Sequence, residues 1–372
     1  MSRIDRVRRQ MQDAGVDVLL LSLGADLPWL TGYEAMPLER LTMLVLPADP
    51  NARATLVVPR LEAPRVEARP DVFAIHPWDE TDDPIAIVAG LVGPGLRGPN
   101  AAAARTVAIA DRTWATFVLR LQEALPGAAW RPASEVTAPL RAVKDAEEVE
   151  ALRQAAAAAD RVAAQLLAGE IALIGRTEAE VSREIGERLV AEGHQRVNFA
   201  IVGSGPNSAS PHHDAGPRRI QAGEAVVCDL GGTRDGYCSD ITRTVFTGAP
   251  PAEFVEVYEV VRAAQAAGVT AARPGTSGEA VDGVARSIIT DAGYGAHFIH
   301  RTGHGIGREE HEDPYLVSGN REPLAPGHAF SVEPGVYLPG RFGVRIEDIV
   351  VVGPDGPEAL NRADHRLTVV EA

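Results

Sequence analysis

Val226-Val227-Cys228-Asp229-Leu230-Gly231-Gly232, followed by Gly236-Tyr237-Cys238-Ser239-Asp240-Ile241-Thr242-Arg243-Thr244-Val245-Phe246, is the stretch on which the reading of this chain turns. Its β-branched and apolar residues predict two strands joined through the turn Thr233-Arg234-Asp235-Gly236. Pairing the strands about that turn sets Asp229 opposite Asp240 on one face, a register that a bulge would spoil. Two carboxylates side by side among apolar neighbours repel each other and lose hydration. The pair therefore calls for a cation or a shared proton, that is, a metal site or an acid pair. The same alternation puts Cys228 and Cys238 on opposite faces, so the two cysteines are not expected to bond.

Working outward, three more residues join this pair: His304 in Gly303-His304-Gly305-Ile306-Gly307, Glu333 in Ser331-Val332-Glu333-Pro334-Gly335, and Glu347 within the strand-like run from Gly343 to Val351. A carboxylate inside such a run needs a partner. Four carboxylates and one imidazole form an oxygen-rich set that suits two hard or borderline divalent ions such as Mn²⁺, with Co²⁺ or Zn²⁺ as alternatives. The set is wrong for a thiolate zinc site.

The rest of the chain bounds the class. It has 372 residues and a net charge of −15, which argues against nucleic acid or an anionic membrane as partner. Apolar runs such as Val18 to Leu23 fall well short of the roughly 20 residues of a membrane helix, and Met1 to Arg6 opens charged, unlike a signal peptide, which predicts a cytoplasmic protein. Residues 1–140 alternate as an α/β domain: a helix over Ile4 to Ala14, strands over Val18 to Ser22, Thr42 to Pro47 and Ala54 to Val58, and a loop between the first two strands. A second domain, residues 141–372, opens with a linker helix at about 145–168, capped by Asp145 with Glu148 as the third position of a capping box and stopped by Gly169. Inside it, Ala163-Ala164-Gln165 recurs as Ala263-Ala264-Gln265, Gly175 as Gly275, Val181 as Val281 and Gly193 as Gly293, always 100 residues on. A duplicated half-domain with a pseudo-twofold, and a site at the junction, would explain the offset.

These residues resemble the pita-bread metallopeptidases, namely the Xaa-Pro dipeptidases (prolidases), aminopeptidase P and methionine aminopeptidase. The resemblance is carried by Asp229 and Asp240 eleven apart with Ser239 to Thr244, by His300-Arg301-Thr302-Gly303-His304-Gly305-Ile306-Gly307, by Glu333-Pro334-Gly335 and by Val344-Arg345-Ile346-Glu347-Asp348, and it spans about residues 145–370. The N-terminal part looks like the smaller α/β domain of prolidases, aminopeptidase P and creatinase, most clearly at Asp26-Leu27-Pro28-Trp29-Leu30-Thr31-Gly32-Tyr33, and this makes methionine aminopeptidase the poorer match. The resemblance implies a C-terminal pita-bread domain of α/β (α+β) class. It further implies that Asp229 chelates one metal, Asp240 and Glu347 bridge both, and His304 and Glu333 hold the second. Water or hydroxide between the metals would then attack the scissile carbonyl. By the same resemblance Glu333 is the general base, His212 helps bind substrate and leaving group, His311 stabilises the tetrahedral intermediate, and His300 lines the pocket for the residue after the cut. A homodimer is implied only in this way.

A dipeptidase must also recognise the free carboxylate of proline, for which Arg345 and Arg40 are the candidate cations. Arg345, beside Glu347, has the second reading of a support for the metal site, and Arg40 would act from the loop Gly32 to Arg40, in its own chain or a dimer partner. Rival chemistries fail on detail. Val202-Gly203-Ser204-Gly205 lacks the first glycine of a nucleophile elbow, His311-Glu312-Asp313-Pro314 lacks the second histidine of a metalloprotease helix, and Gly303 to Gly307 lacks the spacing of a dinucleotide loop. The expected substrates are Xaa-Pro dipeptides. The alternatives are aminopeptidase P-like cleavage of longer Xaa-Pro peptides and a non-peptidase on the same fold, either a creatinase-like hydrolase or a binding module; the intact set of five ligands speaks against the last.

Overall fold

A computed structural model describes residues 2–93 and 105–371, and the chain divides into two units, Met1–Leu140 and Arg141–Ala372. In the first unit, strands β1 (Val18–Leu21), β2 (Met43–Pro47), β3 (Thr55–Pro59), β4 (Ala74–Trp78), β5 (Thr106–Ile109) and β6 (Ala129–Pro132) form a sheet in the order β4-β3-β2-β1-β5-β6. Helices α1 (Arg3–Asp13), α2 (Asp26–Thr31), α3 (Pro84–Val92), α4 (Ala115–Ala124) and α5 (Ser134–Ala142) accompany it. The first strand is a continuous apolar run because both of its faces are covered: Leu19 and Leu21 join one core with Val7 and Met11 of α1, while Val18 and Leu20 join another with Val88 of α3 and Leu121 of α4. The loop expected between β1 and β2 contains α2, which stops at Gly32, where φ is 77°. Its signal was masked by Pro28, which tolerates the first turn of a helix.

The second unit opens with α6 (Ala146–Leu167), started by a capping box between Asp145 and Glu148. Two similar halves follow. Helix α7 (Glu178–Ala191), with Thr177 as its cap, lies in the first half, whereas α8 (Ala252–Ala271) and α9 (Gly278–Asp291), with Ser277 as cap of the latter, lie in the second. Positive φ at Gly175 and Gly275, and again at Gly193 and Gly293, turns the chain in both halves at equivalent places. In the first half, β7 (Arg196–Ser204), β8 (Ala225–Arg234), β9 (Tyr237–Cys238) and β10 (Ile241–Thr247) build a sheet that also holds the C-terminal strand Thr368–Val370. In the second, β11 (Gly303–Gly305), β12 (Glu312–Leu316) and β13 (Ala329–Val332) join β16 (Asp348–Val352) and β17 (Pro357–Ala359), and the hairpin β14 (Gly335–Leu338) and β15 (Phe342–Arg345) stands beside them. The correspondence 100 residues apart is thus one of whole elements.

The decisive hairpin differs from the expected register. Asp229 pairs with Thr242, and the returning strand is broken between β9 and β10 at Ser239-Asp240. The cause is a tighter turn than expected: Asp235 and Gly236 alone make it, both with positive φ, of 50° and 79°. Asp240 stays on the face of Asp229, displaced along it. Cys228 and Cys238 are free and buried, in different cores. No helix among the described residues is long and apolar enough to cross a membrane.

Candidate metal centre

Five elements deliver the acidic cluster. Asp229 lies within β8, Asp240 just before β10, His304 at the centre of β11, Glu333 just after β13, and Glu347 between β15 and β16. The flanking glycines of Gly303-His304-Gly305 are a steric necessity. A Cβ at Gly303 would collide with the Ser331 carbonyl, and one at Gly305 with the backbone of Glu312 and Asp313. This close approach seats the imidazole among the acids: Nε2 of His304 is 3.4 Å from Oε1 of Glu333 and 3.7 Å from Oδ2 of Asp240. Ligand atoms of Asp240, His304 and Glu347 all lie within 4.8 Å of one another.

Four of the five side chains are oriented by a second contact. His304 Nδ1 donates to the Gly305 carbonyl at 3.1 Å, which leaves Nε2 as an acceptor facing the carboxylates. Thr242 donates to Glu347 Oε2 at 2.6 Å, and Ser331 donates to Glu333 Oε1 at 3.2 Å. Arg345 donates through Nη2 to Asp229 Oδ2 at 2.6 Å, while Asp229 Oδ1 is buried with no hydrogen-bond partner among the described residues.

The electrostatics state the same need. Burial, followed by repulsion from Glu347, Asp229 and Glu333, holds the Asp240 carboxyl well above its ordinary range. Burial and then Glu333 do the same to Glu347, and burial pushes Glu333 up to about 7. His304 is pushed down to about 3, first by burial and then by His311. Four acids with two guanidiniums, Arg345 and Arg301, lining the same cavity form a site short of positive charge. An orphaned carboxylate oxygen, an imidazole lone pair aimed at acids and carboxyls that resist ionisation all fit divalent cations.

The five residues line a cavity of about 280 Å³ together with His212, His300, His311, Arg301, Arg345, Pro211, Phe199 and Ile201. His304 and His311 lie ring to ring, with centroids 3.9 Å apart. His213, next to His212, does not line the cavity: its Nε2 donates to the buried Glu178 at 2.8 Å. Ser204 is likewise tied to Glu178, at 2.7 Å, and is buried. Arg345 has Pro211 and Tyr337 as partners of Nη1, Thr242 of Nε and Asp229 of Nη2. Arg40 belongs to the first unit, where it is paired with Glu80 and Glu39, each at 2.7 Å.

Three residues escaped the sequence reading as site residues. Tyr337 accepts from Arg345 at 3.0 Å and donates to His300 Nε2 at 2.9 Å, while His300 Nδ1 donates to the Arg301 carbonyl at 2.7 Å. The directions are fixed because burial, then Arg345, pushes His300 down to about 4 and keeps it neutral. Arg301 lines the cavity with its guanidinium 4.5 Å from the ring centre of Tyr315 and makes no ion pair among the described residues. Thr242 was visible only as a strand residue in the motif. Arg301 and Thr242 stood inside the quoted motifs without a role and Tyr337 outside them, since a strand Tyr or Thr reads as core and an Arg beside His as surface.

A buried acid-and-imidazole cluster drawn from both halves of a duplicated α/β domain defines a metal-dependent hydrolase. Residues 150–354 match metallopeptidase family M24 and residues 3–143 match the creatinase/prolidase N-terminal domain. The chain belongs to metallopeptidase family M24. It is 44% identical over 362 residues to the probable dipeptidase PepE of Mycobacterium tuberculosis, a match covering 96% of this chain and 93% of that one. It is 36% identical over 373 residues to the Xaa-Pro dipeptidase of Lactobacillus helveticus, covering 99% and 98%. The crystal structure of a prolidase from Thermococcus sibiricus matches with a TM-score of 0.91 at 36% identity, over 99% of this chain and 98% of that one. The second unit is accordingly a pita-bread domain and the first a creatinase/prolidase-like domain. The chain is a metallopeptidase, and its family implies divalent metal ions.

Proposed function

We propose that this chain hydrolyses the Xaa-Pro bond of dipeptides with two divalent ions, Mn²⁺ foremost and Co²⁺ or Zn²⁺ as alternatives, held by Asp229, Asp240, His304, Glu333 and Glu347. The observation that carries the reading is the orphaned Oδ1 of Asp229 in a cavity where His304 Nε2 faces Glu333 and Asp240. The donors exceed what one ion takes up, because the four carboxylates bring two oxygens each and one ion binds about six to eight ligands at most. When bound, the ions supply Lewis acidity at the scissile carbonyl and make water nucleophilic at neutral pH.

The chain's own residues do the rest. Cutting before proline releases a secondary amine that must be protonated, and Glu333, a carboxyl lining the cavity beside His304, is the group to carry that proton. His311 donates to the oxygen that gains charge as the carbonyl is attacked. His212 contacts the leaving side. Neutral His300, fixed by Tyr337, walls the proline pocket. Arg345 has its hydrogen bonds committed to Asp229, Thr242, Pro211 and Tyr337, which favours the supporting reading over carboxylate capture. The cation for the substrate carboxylate is then Arg301. A cavity of about 280 Å³, at the small end of ligand pockets of about 300–1,000 Å³, favours a dipeptide.

Hydrolysis of Leu-Pro beside Leu-Pro-Gly, in Mn²⁺ and after chelation, tests this. Chelator-sensitive cleavage of the dipeptide is expected; faster tripeptide cleavage would select aminopeptidase P, and no cleavage of either with metal bound would remove the peptidase reading. The relatives named dipeptidase, Xaa-Pro dipeptidase and prolidase support the substrate class, and a cytoplasmic site of action is part of the proposal. A homodimer remains part of the proposal, testable by sedimentation.

A further inference from the structure

Two of the proposed metal ligands are chain neighbours of a buried ion pair that the chemistry above does not use. Arg243, three residues after Asp240, is fully buried and pairs through Nη2 with Oδ1 of Asp348, which follows Glu347, at 2.8 Å. All five N–H groups of its guanidinium are engaged. Nη1 donates to the carbonyls of Glu347 at 2.7 Å and Thr242 at 2.9 Å, Nη2 also to the Ala363 carbonyl at 2.8 Å, and Nε to the Asp364 carbonyl at 3.0 Å. The other oxygen of Asp348 accepts from Gln265 at 2.8 Å and from His365 Nε2 at 2.6 Å. The C-terminal segment that brings His365 is itself pinned: Asn361 Oδ1 accepts from the Ile349 N–H at 2.8 Å, and Asp160 accepts from the N–H groups of Arg362 at 2.6 Å and Ala363 at 3.2 Å.

A buried ion pair is a poor source of stability by itself, since apolar residues of similar volume do as well or better. A rigid five-donor fork is, however, a good means of fixing backbone direction. Here it fixes the carbonyl of Glu347 from behind, while Thr242 holds the Glu347 carboxylate from in front and the Glu347 N–H donates to the Thr242 carbonyl at 3.2 Å. We propose that the Arg243–Asp348 pair, closed by residues 361–365, positions the metal ligands Asp240 and Glu347, so that C-terminal residues remote from the ions set part of the affinity for them. This rests on the reading of those two carboxylates as ligands.

The test is calorimetric titration of Mn²⁺ into the metal-free full-length chain, for wild type, Arg243→Lys, His365→Ala and His365→Gln, with urea unfolding of each metal-free form alongside. Partners of this kind typically govern metal affinity by about 10- to 100-fold. Arg243→Lys and His365→Ala are expected to weaken Mn²⁺ binding within that range. His365→Gln, which returns a donor to Asp348, recovers most of it, and the half-exposed His365 variants keep the metal-free urea midpoint near wild type. A merely structural role would move the midpoint and leave the affinity alone. His365→Ala binding Mn²⁺ within twofold of wild type overturns the proposal, whether or not Arg243→Lys folds. A wild-type chain that takes up no Mn²⁺ overturns the ligand assignment itself, and this inference with it.

Discussion

His304 turns a lone pair, not a proton, toward Glu333: Nδ1 is spent on the Gly305 carbonyl, and Nε2 stands 3.4 Å from Glu333 Oε1. Acceptor against acceptor is repulsive unless a cation or a shared proton lies between, and the arrangement is rigid because β11 admits no side chain at either neighbouring glycine.

Cations should therefore stabilise the fold measurably. At about 100 times its Kd, Mn²⁺ adds about 2.7 kcal/mol to the folded state, which for a unit of this size is a rise in Tm of about 5–10 °C. Thermal melts with and without chelator check this. The Asp240→Asn variant should lose the Mn²⁺-dependent rise; an undiminished rise would assign the binding to other residues.

Arg301→Ala should raise KM for Leu-Pro by about 10- to 100-fold, the worth of a charge-assisted hydrogen bond. The amide of the same dipeptide, which has no carboxylate to capture, should be spared. Steady-state kinetics on the two substrates decide the matter, and an equal loss on both would refute carboxylate capture by Arg301.

Tyr337→Phe removes the hydroxyl between Arg345 and His300 and leaves two buried polar groups without that partner. An unsatisfied buried group costs about 1–3 kcal/mol. A loss of about tenfold in kcat/KM is expected, together with a urea midpoint lowered by the equivalent of about 1–3 kcal/mol. Unchanged kinetics would make the His300 contact incidental.

His328, five residues before Glu333 but outside the cavity lining, offers a test of pH linkage. Burial, then Lys144, pushes its imidazole down to about 4, and its Nδ1 accepts from the Ala325 N–H at 3.2 Å. The unfolded chain binds the proton below about pH 6.5, whereas the folded chain does not until about pH 4. The stability held above pH 6.5 is thus lost as pH falls toward 4. Discounted for partial exposure, wild type should lose about 1 kcal/mol more than His328→Asn between pH 7.5 and 5. Urea unfolding at both pH values measures the difference, and equal losses would contradict the linkage.

Asp229 and Glu347 were legible because each interrupts an apolar strand, Asp240, His304 and Glu333 through the motifs around them, and the duplication because glycines with positive φ cannot drift in position without breaking the turns they make. The hairpin register was not. It depended on whether two residues or four made the turn, and only Asp235 in the left-handed region decides that. Helix α2 hid behind its proline. The partners of Arg345 and Arg243 lie up to 134 residues away along the chain, so their roles exist only in the folded state, and nothing local distinguishes Tyr337 from a core aromatic.

The division of the cluster between the two halves has a consequence for assembly. Asp229 and Asp240 come from the first half and His304, Glu333 and Glu347 from the second, so under the proposed assignment neither half by itself holds a complete ligand set. Ion uptake then reports on docking of the halves during folding: fragments severed between them would each bind weakly, and mixing the two would restore tight uptake only on reassociation. Under the proposed assignment the ions would clasp the two copies together, and a site that is whole only after the copies dock cannot hold them tightly before then.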